Sequence, residues 1–184
     1  GYAVLYTNFF YKLFDGFIVM TKPLYEYFSN KKRKNAKLLL LPMTVETDRF
    51  KHGDQVYDFE YIAYCGYMGN NKDGVDNLIT SFALIANKFP ELKLVLIGDG
   101  PQNEIQRFRR IVNDKRIDRK VIFTGRVNRE DMPNYLCNAK VLALARPSGL
   151  QSTGGFPTKL GEYLSTAKPV VVTSVGDIPE YLEN

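Results

Sequence analysis

The sequence predicts an α/β protein with a doubly wound, Rossmann-like parallel sheet. From residue 61 onward, short apolar runs with the length of strands alternate with patterns of helical spacing. Strands that are apolar on both faces are typical of parallel sheets covered by helices on both sides. Because parallel strands need right-handed crossovers, the alternation gives an open sheet. In such sheets, ligands bind at the carboxyl ends of the strands.

The helices and strands of residues 61–184 follow in regular order. Apolar residues recur at helical spacing over 75–89 and place Phe89 on the buried face of a helix that ends at Pro90. The predicted strands are 61–65, 92–97, 121–124, 141–145 and 169–173. The other predicted helices are a polar one at 102–112, then 128–138, 158–166 and one beginning at 178.

The first sixty residues have a different pattern, with ten aromatic residues at positions 2–28. They predict a short helix at 3–14, a strand at 17–20, a second helix at 23–29 and a strand at 37–41. We predict that 1–41 is the tail of a different domain, that 42–60 is a linker and entry segment, and that 61–184 is the ligand-binding domain. We expect the chain to begin within one element and to stop as a helix begins.

The excess positive charge of the chain is local. With 25 Lys and Arg against 20 Asp and Glu the formal net charge is +5, and five basic residues fall within seven positions: Lys31, Lys32, Arg33, Lys34 and Lys37. A nucleic-acid-binding protein needs a basic face that is spread out, so we expect no nucleic-acid partner. The basic cluster is either a solvated loop or a contact for anionic lipid at a membrane surface.

Residue types that support metal or thiol chemistry are scarce. His52 is the only histidine, so neither a zinc site nor a His-based catalytic triad is expected. Cys65 and Cys137 are predicted to be reduced, buried thiols of a cytoplasmic protein. No apolar run is long enough for a membrane span, and no secretory signal pattern opens the chain.

The longest loop at the predicted ligand edge, 146–157, is the most informative segment. It is rich in Gly, Ser and Pro and leads into the helix predicted to start near Thr158. Free N–H groups at a helix N-terminus attract anions. Lys159 lies in the first turn, where a docked phosphate would remove the penalty on its charge, and Glu162 follows on the same face. The alternative is a plain ion pair between these two side chains on the helix surface.

An ordered series of motifs resembles one known family. The series comprises Tyr64-Cys65-Gly66, Lys72-Asp73-Gly74-Val75-Asp76, Leu94-Val95-Leu96-Ile97-Gly98-Asp99-Gly100-Pro101, Val121-Ile122-Phe123-Thr124-Gly125-Arg126-Val127 and the segment 146–170. In that order the motifs resemble the C-terminal half of a GT-B glycosyltransferase of family 4, and the resemblance covers roughly residues 15–184.

The resemblance implies transfer of a sugar from a nucleoside diphosphate, with retention at the anomeric carbon and without a metal or other cofactor. The C-terminal half would bind a UDP- or GDP-sugar, and the N-terminal half, of which 1–41 is the tail, a saccharide or lipid-linked acceptor. The implied catalytic residues are Lys72 and Glu162, with Glu162 on the donor ribose. The implied donor-binding residues are Gly66, Tyr67, Arg126, Val127, Gly154, Gly155, Phe156, Pro157, Thr158 and Lys159.

The chain departs from the family pattern at two positions. Gly154 stands where the family has the first glutamate of its motif, the residue that contacts the transferred sugar. Tyr67 stands where the family often has a phosphate-neutralising arginine, and Lys159 is the candidate substitute. The alternative for Lys72 is a solvated loop lysine.

The first functional hypothesis is therefore a glycosyltransferase of bacterial surface polysaccharide synthesis, located in the cytoplasm at the inner face of the membrane. The second is a nucleotide-sugar-binding domain without transfer activity. A dinucleotide oxidoreductase is disfavoured because no Gly-x-Gly-x-x-Gly opens a helix after the first strand. We expect residues 1–184 alone to bind donor weakly, to transfer nothing, and to self-associate through exposed aromatic residues.

Overall fold

The computed structural model describes residues 9–51, 53–69 and 72–182. Within these residues the strands are β1 Gly16–Val19, β2 Lys37–Leu40, β3 Tyr61–Cys65, β4 Lys93–Ile97, β5 Val121–Gly125, β6 Val141–Leu144 and β7 Val170–Val172. The α-helices are α1 Lys22–Lys31, α2 Val75–Ile85, α3 Gln102–Asp114, α4 Met132–Cys137, α5 Leu150–Gly154 and α6 Lys159–Ser165. Short 3-10 helices lie at Phe10–Leu13, Thr47–Phe50, Asp118–Lys120 and Ile178–Glu180.

The chain divides into two units by its internal contacts. The first unit contains 9–44, Ser148–Phe156 and 174–182, and the second contains Val45–Pro147 and Pro157–Thr173. The division does not follow the predicted ranges one by one, because 45–60 pack with the second unit and two later segments pack with the first. The assignment of the units to acceptor and donor halves stays a prediction.

The second unit is built on a five-stranded parallel sheet in the order β5-β4-β3-β6-β7. The chain runs outward from β3 through β4 to β5, then returns to place β6 on the other side of β3. The strand order therefore reverses between β3 and β6, which is the place where doubly wound sheets bind ligands. The predicted doubly wound parallel sheet is confirmed.

The central strands are buried on both faces. Residues 94–97 of β4 have an exposed fraction of 0%, and β3 is nearly as deeply buried. The helix α2 covers β6 and packs on α3, burying Leu78, Ile79 and Phe82 at helical spacing. These strands appear in the sequence as continuous apolar runs because neither face of the sheet is left to solvent.

The helix α2 ends four residues earlier than predicted. The amides of Lys88 and Phe89 both donate to the carbonyl of Ile85, so the chain closes in turns instead of a further helical turn. Phe89 is 53% exposed, and its predicted place on the buried face is wrong. A residue before proline is pushed out of the helical conformation, so Pro90 shortens the helix from outside.

The predicted loop 146–157 contains the single-turn helix α5. The hydroxyls of Ser152 and Thr153 each donate to the carbonyl of Gly149 at 2.9 Å, and the Thr153 amide donates to the same oxygen. Side-chain hydrogen bonds to a nearby carbonyl thus support a short helix that has no apolar periodicity. The prediction of an irregular loop over this whole stretch is wrong for this reason.

The first unit holds a two-stranded parallel sheet of β1 and β2, against which α1 packs. The ring of Phe17 on β1 stacks on Phe28 of α1 with centroids 4.8 Å apart. The hydroxyl of Thr21 accepts from the amide of Leu24 and caps α1. The predicted order of strand, helix and strand is confirmed.

Two predicted helices are represented only by 3-10 turns. Of the helix predicted at 3–14, the described residues contain a 3-10 helix at Phe10–Leu13, and residues 3–8 lie outside them. The helix predicted from 178 is a 3-10 helix at Ile178–Glu180. Isolated helices this short gain little from propensity alone, so packing decides their geometry.

Segment 45–60, predicted as linker and entry, is packed into the second unit. Phe50 is 2% exposed, and its carbonyl accepts from the thiol of Cys137 at 3.1 Å. The side-chain amide nitrogen of Asn138 donates to the carbonyls of Gly53 and Asp54 at 3.0 and 2.9 Å. The segment therefore forms part of the wall of this unit.

Gly74 should be one of the least replaceable positions of the second unit. It has φ of 62°, and an added Cβ would collide with the carbonyl oxygen of Ala145. We expect Gly74→Ala to lower the free energy of unfolding by about 2 kcal/mol or more, since the left-handed backbone and the collision add. Gly125→Ala is the matched control, with φ of 71° and no atom within 4 Å of the new Cβ. It should cost about 1 kcal/mol in urea unfolding. Equal losses would contradict this account.

Candidate functional site

The carboxyl ends of β3 and β6 lie side by side at the reversal of strand order, and we call the region between them the crevice. The loop after β3 contributes Gly66 and Asp73, the end of β6 contributes Arg146, and the first turn of α6 contributes Lys159. Segments far apart in the chain meet here because parallel strands end at the same edge of the sheet.

A buried carboxylate organises this crevice. Asp73 is 5% exposed, and one of its oxygens accepts hydrogen bonds from the hydroxyl of Tyr64 at 2.9 Å and from the ammonium of Lys159. The Nε atom of Arg146 lies 3.8 Å from the other carboxylate oxygen. The side chains of Arg146 and Lys159 are 1% and 16% exposed. We call these four side chains the Asp73 cluster.

The Asp73 cluster is charged and shielded from water. Two cations and one carboxylate leave a net charge of +1. Burial lowers the pKa of Arg146, although the nearby Asp73 opposes this shift. Burial, followed by the charge of Asp73, raises the pKa of Tyr64. The Tyr64 hydroxyl therefore keeps its proton and donates a hydrogen bond to the carboxylate. A buried anion in contact with two cations is held firmly, because separating them would leave charges without water or partner.

Glycine is required where the backbone meets the cluster. A Cβ at Gly66 would collide with the Nζ atom of Lys159 and lie 2.8 Å from the hydroxyl of Tyr64. Lys159 therefore lies directly against the backbone at the end of β3. The predicted grouping of Gly66 with Lys159 at one edge of the sheet is present in the structure.

The backbone of Cys65, at the end of β3, is held in place by Tyr163. Its amide donates to the hydroxyl of Tyr163 at 2.7 Å. Burial raises the pKa of the Cys65 thiol to about 12, although the charge of Lys159 lowers it in part. The thiol is therefore protonated and has a packing role, as predicted, whereas Cys137 is only partly buried.

A cavity of about 350 Å³ has Glu162 of α6 in its wall. Its wall contains three residues predicted from the sequence, namely Arg126, Val127 and Glu162. The remaining lining residues are Arg49, Asn128, Arg129 and Met132. We call this cavity the Glu162 pocket. The helix α6 thus carries Lys159 at the crevice and, one turn later, Glu162 at the pocket.

The alternative of an ion pair between Lys159 and Glu162 is not observed. The ammonium of Lys159 contacts Asp73, and this carboxylate offsets the unfavourable position of a cation in a first helical turn. Lys72 lies exposed beside Asp73 in the chain, and Tyr67 is 58% exposed. Both side chains of this loop are thus open to solvent at the ligand edge.

The predicted cradle 154–158 is split between the two units. The carbonyl of Gly154 accepts from Thr21 at 2.8 Å, and the ring of Phe156 packs edgewise on Tyr181 with centroids 5.0 Å apart. The amide of Gly155 donates to the carbonyl of Gln151, so the prediction of a free donor is wrong there. The Gly155 amide is used within α5, and the Gly154 carbonyl is used in the contact with Thr21.

The other part of the cradle, Pro157, Thr158 and Lys159, begins α6 in the second unit. The amides of Leu160 and Gly161 donate to the carbonyls of Pro157 and Thr158. Thr158 makes no side-chain cap within the described part of the chain. The first turn of α6 is therefore closed by its own backbone.

Sequence reasoning missed four residues of the site: Tyr64, Asp73, Arg146 and Arg49. A carboxylate beside Lys72 in a Gly-bounded loop, and an arginine directly after an apolar strand, were visible signals. Arg49 gave no signal, because nothing in a polar segment of one sequence shows which wall it covers. In the residues that the structure describes, no cluster of His, Cys, Asp or Glu could hold a metal ion, and His52 lies outside them. No described helix has the length and apolarity to cross a bilayer.

Removing the charge of Asp73 should destabilise the second unit. Asp73→Asn leaves the cations of Arg146 and Lys159 without their anion, and we expect a loss of about 3 kcal/mol in the free energy of unfolding. The control is Asp114→Asn, an exposed position at the end of α3, which should change it by less than about 0.5 kcal/mol. Equal unfolding midpoints in urea for the two variants would contradict the role given to Asp73.

The fold is shared with known GT-B glycosyltransferases. HepE of Anabaena, in complex with UDP and glucose, superimposes with a TM-score of 0.81 at 16% identity, over 98% of this chain and 50% of that chain. The pneumococcal O-GlcNAc transferase GtfA, in complex with UDP and GlcNAc, gives a TM-score of 0.72 at 19% identity, over 100% of this chain and 34% of that chain.

Sequence comparison gives the family. The GPI3 subunit of the phosphatidylinositol N-acetylglucosaminyltransferase of Saccharomyces cerevisiae is 28% identical over 153 residues, which are 79% of this chain. The chain spans 32% of the length of that relative. Residues 60–184 match the family model described as Glycosyl transferases group 1. This chain therefore belongs to the glycosyl transferases group 1 family.

Proposed function

We propose that the second unit is the donor-binding site of a retaining GT-B glycosyltransferase of family 4. The reaction transfers a hexose-type sugar from a nucleoside diphosphate to a saccharide or lipid-linked acceptor. The observation that carries the proposal is that α6 brings Lys159 into the cationic Asp73 cluster and Glu162 into the wall of the Glu162 pocket.

The crevice suits the diphosphate of the donor. Glycosyl transfer builds positive charge on the sugar ring and negative charge on the departing diphosphate. Lys72, Lys159 and Arg146 are offset by the carboxylate of Asp73, so these four side chains carry a net charge of +2. Fixed cations at the leaving group stabilise the transition state without reorganising. Lys72, exposed beside the cluster, is the cation that is most accessible to the substrate.

The Glu162 pocket suits the nucleoside. A carboxylate can accept two hydrogen bonds, which matches the two hydroxyls of a ribose. Arg126 and Val127 line the same pocket and are placed to contact the base. UDP in the structurally similar HepE and GtfA supports a uridine donor, and a GDP-sugar is the other donor considered. Gly66, against Lys159, permits close approach of the diphosphate to the backbone.

Acceptor and location are further parts of the proposal. The exposed residues Arg33, Lys34 and Lys37 of the first unit can contact anionic lipid headgroups. Such a contact fits a cytoplasmic enzyme at the inner face of a membrane that extends a bacterial surface polysaccharide. Phe9 and Ile18, which are 64% and 70% exposed, provide apolar surface through which the isolated chain would self-associate.

A binding domain without transfer activity is the second candidate. Gly154 stands where the family has the glutamate that contacts the transferred sugar. The absence of that glutamate favours a domain that binds the donor without transferring the sugar. Sugar transfer by a protein that contains both halves of the cleft would exclude it.

Nucleotide titration tests the proposed donor site directly. In isothermal titration calorimetry we expect UDP or GDP to bind the chain and NAD not to bind. The reason is that the site has one diphosphate crevice and one nucleoside pocket, without a Gly-x-Gly-x-x-Gly turn opening a helix after β3. NAD binding in the absence of nucleoside diphosphate binding would contradict the proposal.

Lys159 should contribute to the affinity for the diphosphate. Lys159→Met removes a charge-assisted contact, so the Kd for UDP should rise about tenfold or more. Lys115→Met, an exposed position after α3, is the control and should leave the Kd unchanged. Because Lys159 also pairs with Asp73, the unfolding midpoint of each variant is measured beside its Kd. A folded Lys159→Met variant with unchanged UDP affinity would remove Lys159 from the site.

A further inference from the structure

We propose that Arg49 is a specificity-determining residue of the Glu162 pocket, and that this pocket accepts a nucleobase with a ring carbonyl oxygen, as uracil and guanine have. The inference rests on the proposed donor-binding function and names a residue from outside the predicted site. It also assigns a role to segment 45–60, which sequence reasoning treated as a linker.

The backbone of Arg49 is fixed to the wall of the second unit. The 3-10 helix Thr47–Phe50 packs against α4 and α6, and α6 carries Glu162. Phe50, the next residue, is 2% exposed and anchors the turn, with its carbonyl bonded to Cys137. The burial of Phe50 therefore holds the backbone of Arg49 at the pocket.

The side chain of Arg49 is also held in place. Its Nη2 atom donates to the carbonyl of Arg129 at 2.7 Å, and its Nε atom lies 4.0 Å from a carboxylate oxygen of Glu46. The guanidinium lies 5.2 Å from the centre of the Phe50 ring, and the side chain is 20% exposed. A side chain that is already ordered loses little entropy when a ligand binds.

The contacts of Arg49 also help to fix the segment 126–129. Glu46 pairs with Arg129 at 3.4 Å, so Arg49 and Glu46 together hold the segment 126–129. Arg126 and Val127 of that segment line the pocket. The position of the segment proposed to contact the base thus depends on Arg49.

Hydrogen-bond donors dominate the pocket. Arg49, Arg126 and Arg129 are donors only, Asn128 is both donor and acceptor, and Glu162 is the one carboxylate in the lining. A guanidinium carries several N–H groups, and in the described part of the chain Arg49 uses one on the Arg129 carbonyl. A base edge that presents carbonyl oxygen is favoured by these donors. At the ring position where guanine carries a carbonyl oxygen, adenine carries an amino group, which is a donor and would face cations.

The pocket is better suited to a base than to a phosphate. Its three arginines are offset by Glu162 in the wall and by Glu46, which lies against both Arg49 and Arg129, so little cationic charge is left for a diphosphate. The cations of the Asp73 cluster offer the diphosphate a separate place at the end of β3. Arg49 is therefore expected to act on base selectivity and not on phosphate affinity.

The test measures the selectivity of the whole chain by isothermal titration calorimetry with UDP, GDP, ADP and inorganic pyrophosphate. The unchanged chain should bind UDP or GDP more tightly than ADP, and the tighter of the two identifies the base. Arg49→Met should weaken binding of that nucleotide about tenfold or more, abolish its preference over ADP and leave pyrophosphate binding unchanged. Arg110→Met, an exposed position on α3, should behave like the unchanged chain.

A second variant keeps the test independent of folding. Arg49→Lys retains the charge but not the planar fork of donors, so it should also lose the preference over ADP. If Arg49→Met unfolds, the same affinity ratio measured on Arg49→Lys decides.

Two results would overturn the proposal, and they are distinguishable. Absence of UDP and GDP binding to the unchanged chain would remove the donor-binding function and this inference with it. Binding of UDP or GDP whose preference over ADP survives in the Arg49 variants, or equal weakening of all four ligands, would overturn the role of Arg49 alone.

Discussion

A buried aspartate at the reversal of strand order sets the geometry of the second unit. Asp73 is bonded to Tyr64 on β3, faces Arg146 at the end of β6, and contacts Lys159 on α6. One carboxylate thereby joins three elements that the chain reaches at different times. Because water is excluded, each of these charges would be costly alone, and the elements are stabilised only in this arrangement.

The proposed donor site uses the same arrangement. With Lys159 held against Gly66, the first turn of α6 lies at the crevice, and Glu162 one helical turn later lines the Glu162 pocket. The cluster retains one positive charge beyond its internal pairing, and Lys72 adds another beside it. In the proposed site, structural pairing and ligand binding would draw on the same cations, which would provide a fixed electrostatic environment before a substrate arrives.

Much of the fold could be predicted from apolar patterning. The strands β3 to β7 appear as short apolar runs because the sheet is covered on both faces, and the carboxyl-edge loops follow from that order. Helix ends were less predictable, since α2 stops where the effect of Pro90 outweighs the apolar pattern at Phe89. The single turn α5 had no periodicity to announce it, because it depends on hydroxyl contacts with Gly149.

The sequence by itself determined the α/β class, and it predicted the edge of the sheet and the residues Lys72, Lys159, Arg126 and Glu162 for the candidate site. Only the tertiary structure decided their partners. Asp73 and Lys159 are 86 residues apart in the chain, and Arg49 and Arg129 are 80 apart. Pairings over such separations leave no local pattern, because they depend on which strand ends and walls the fold brings together.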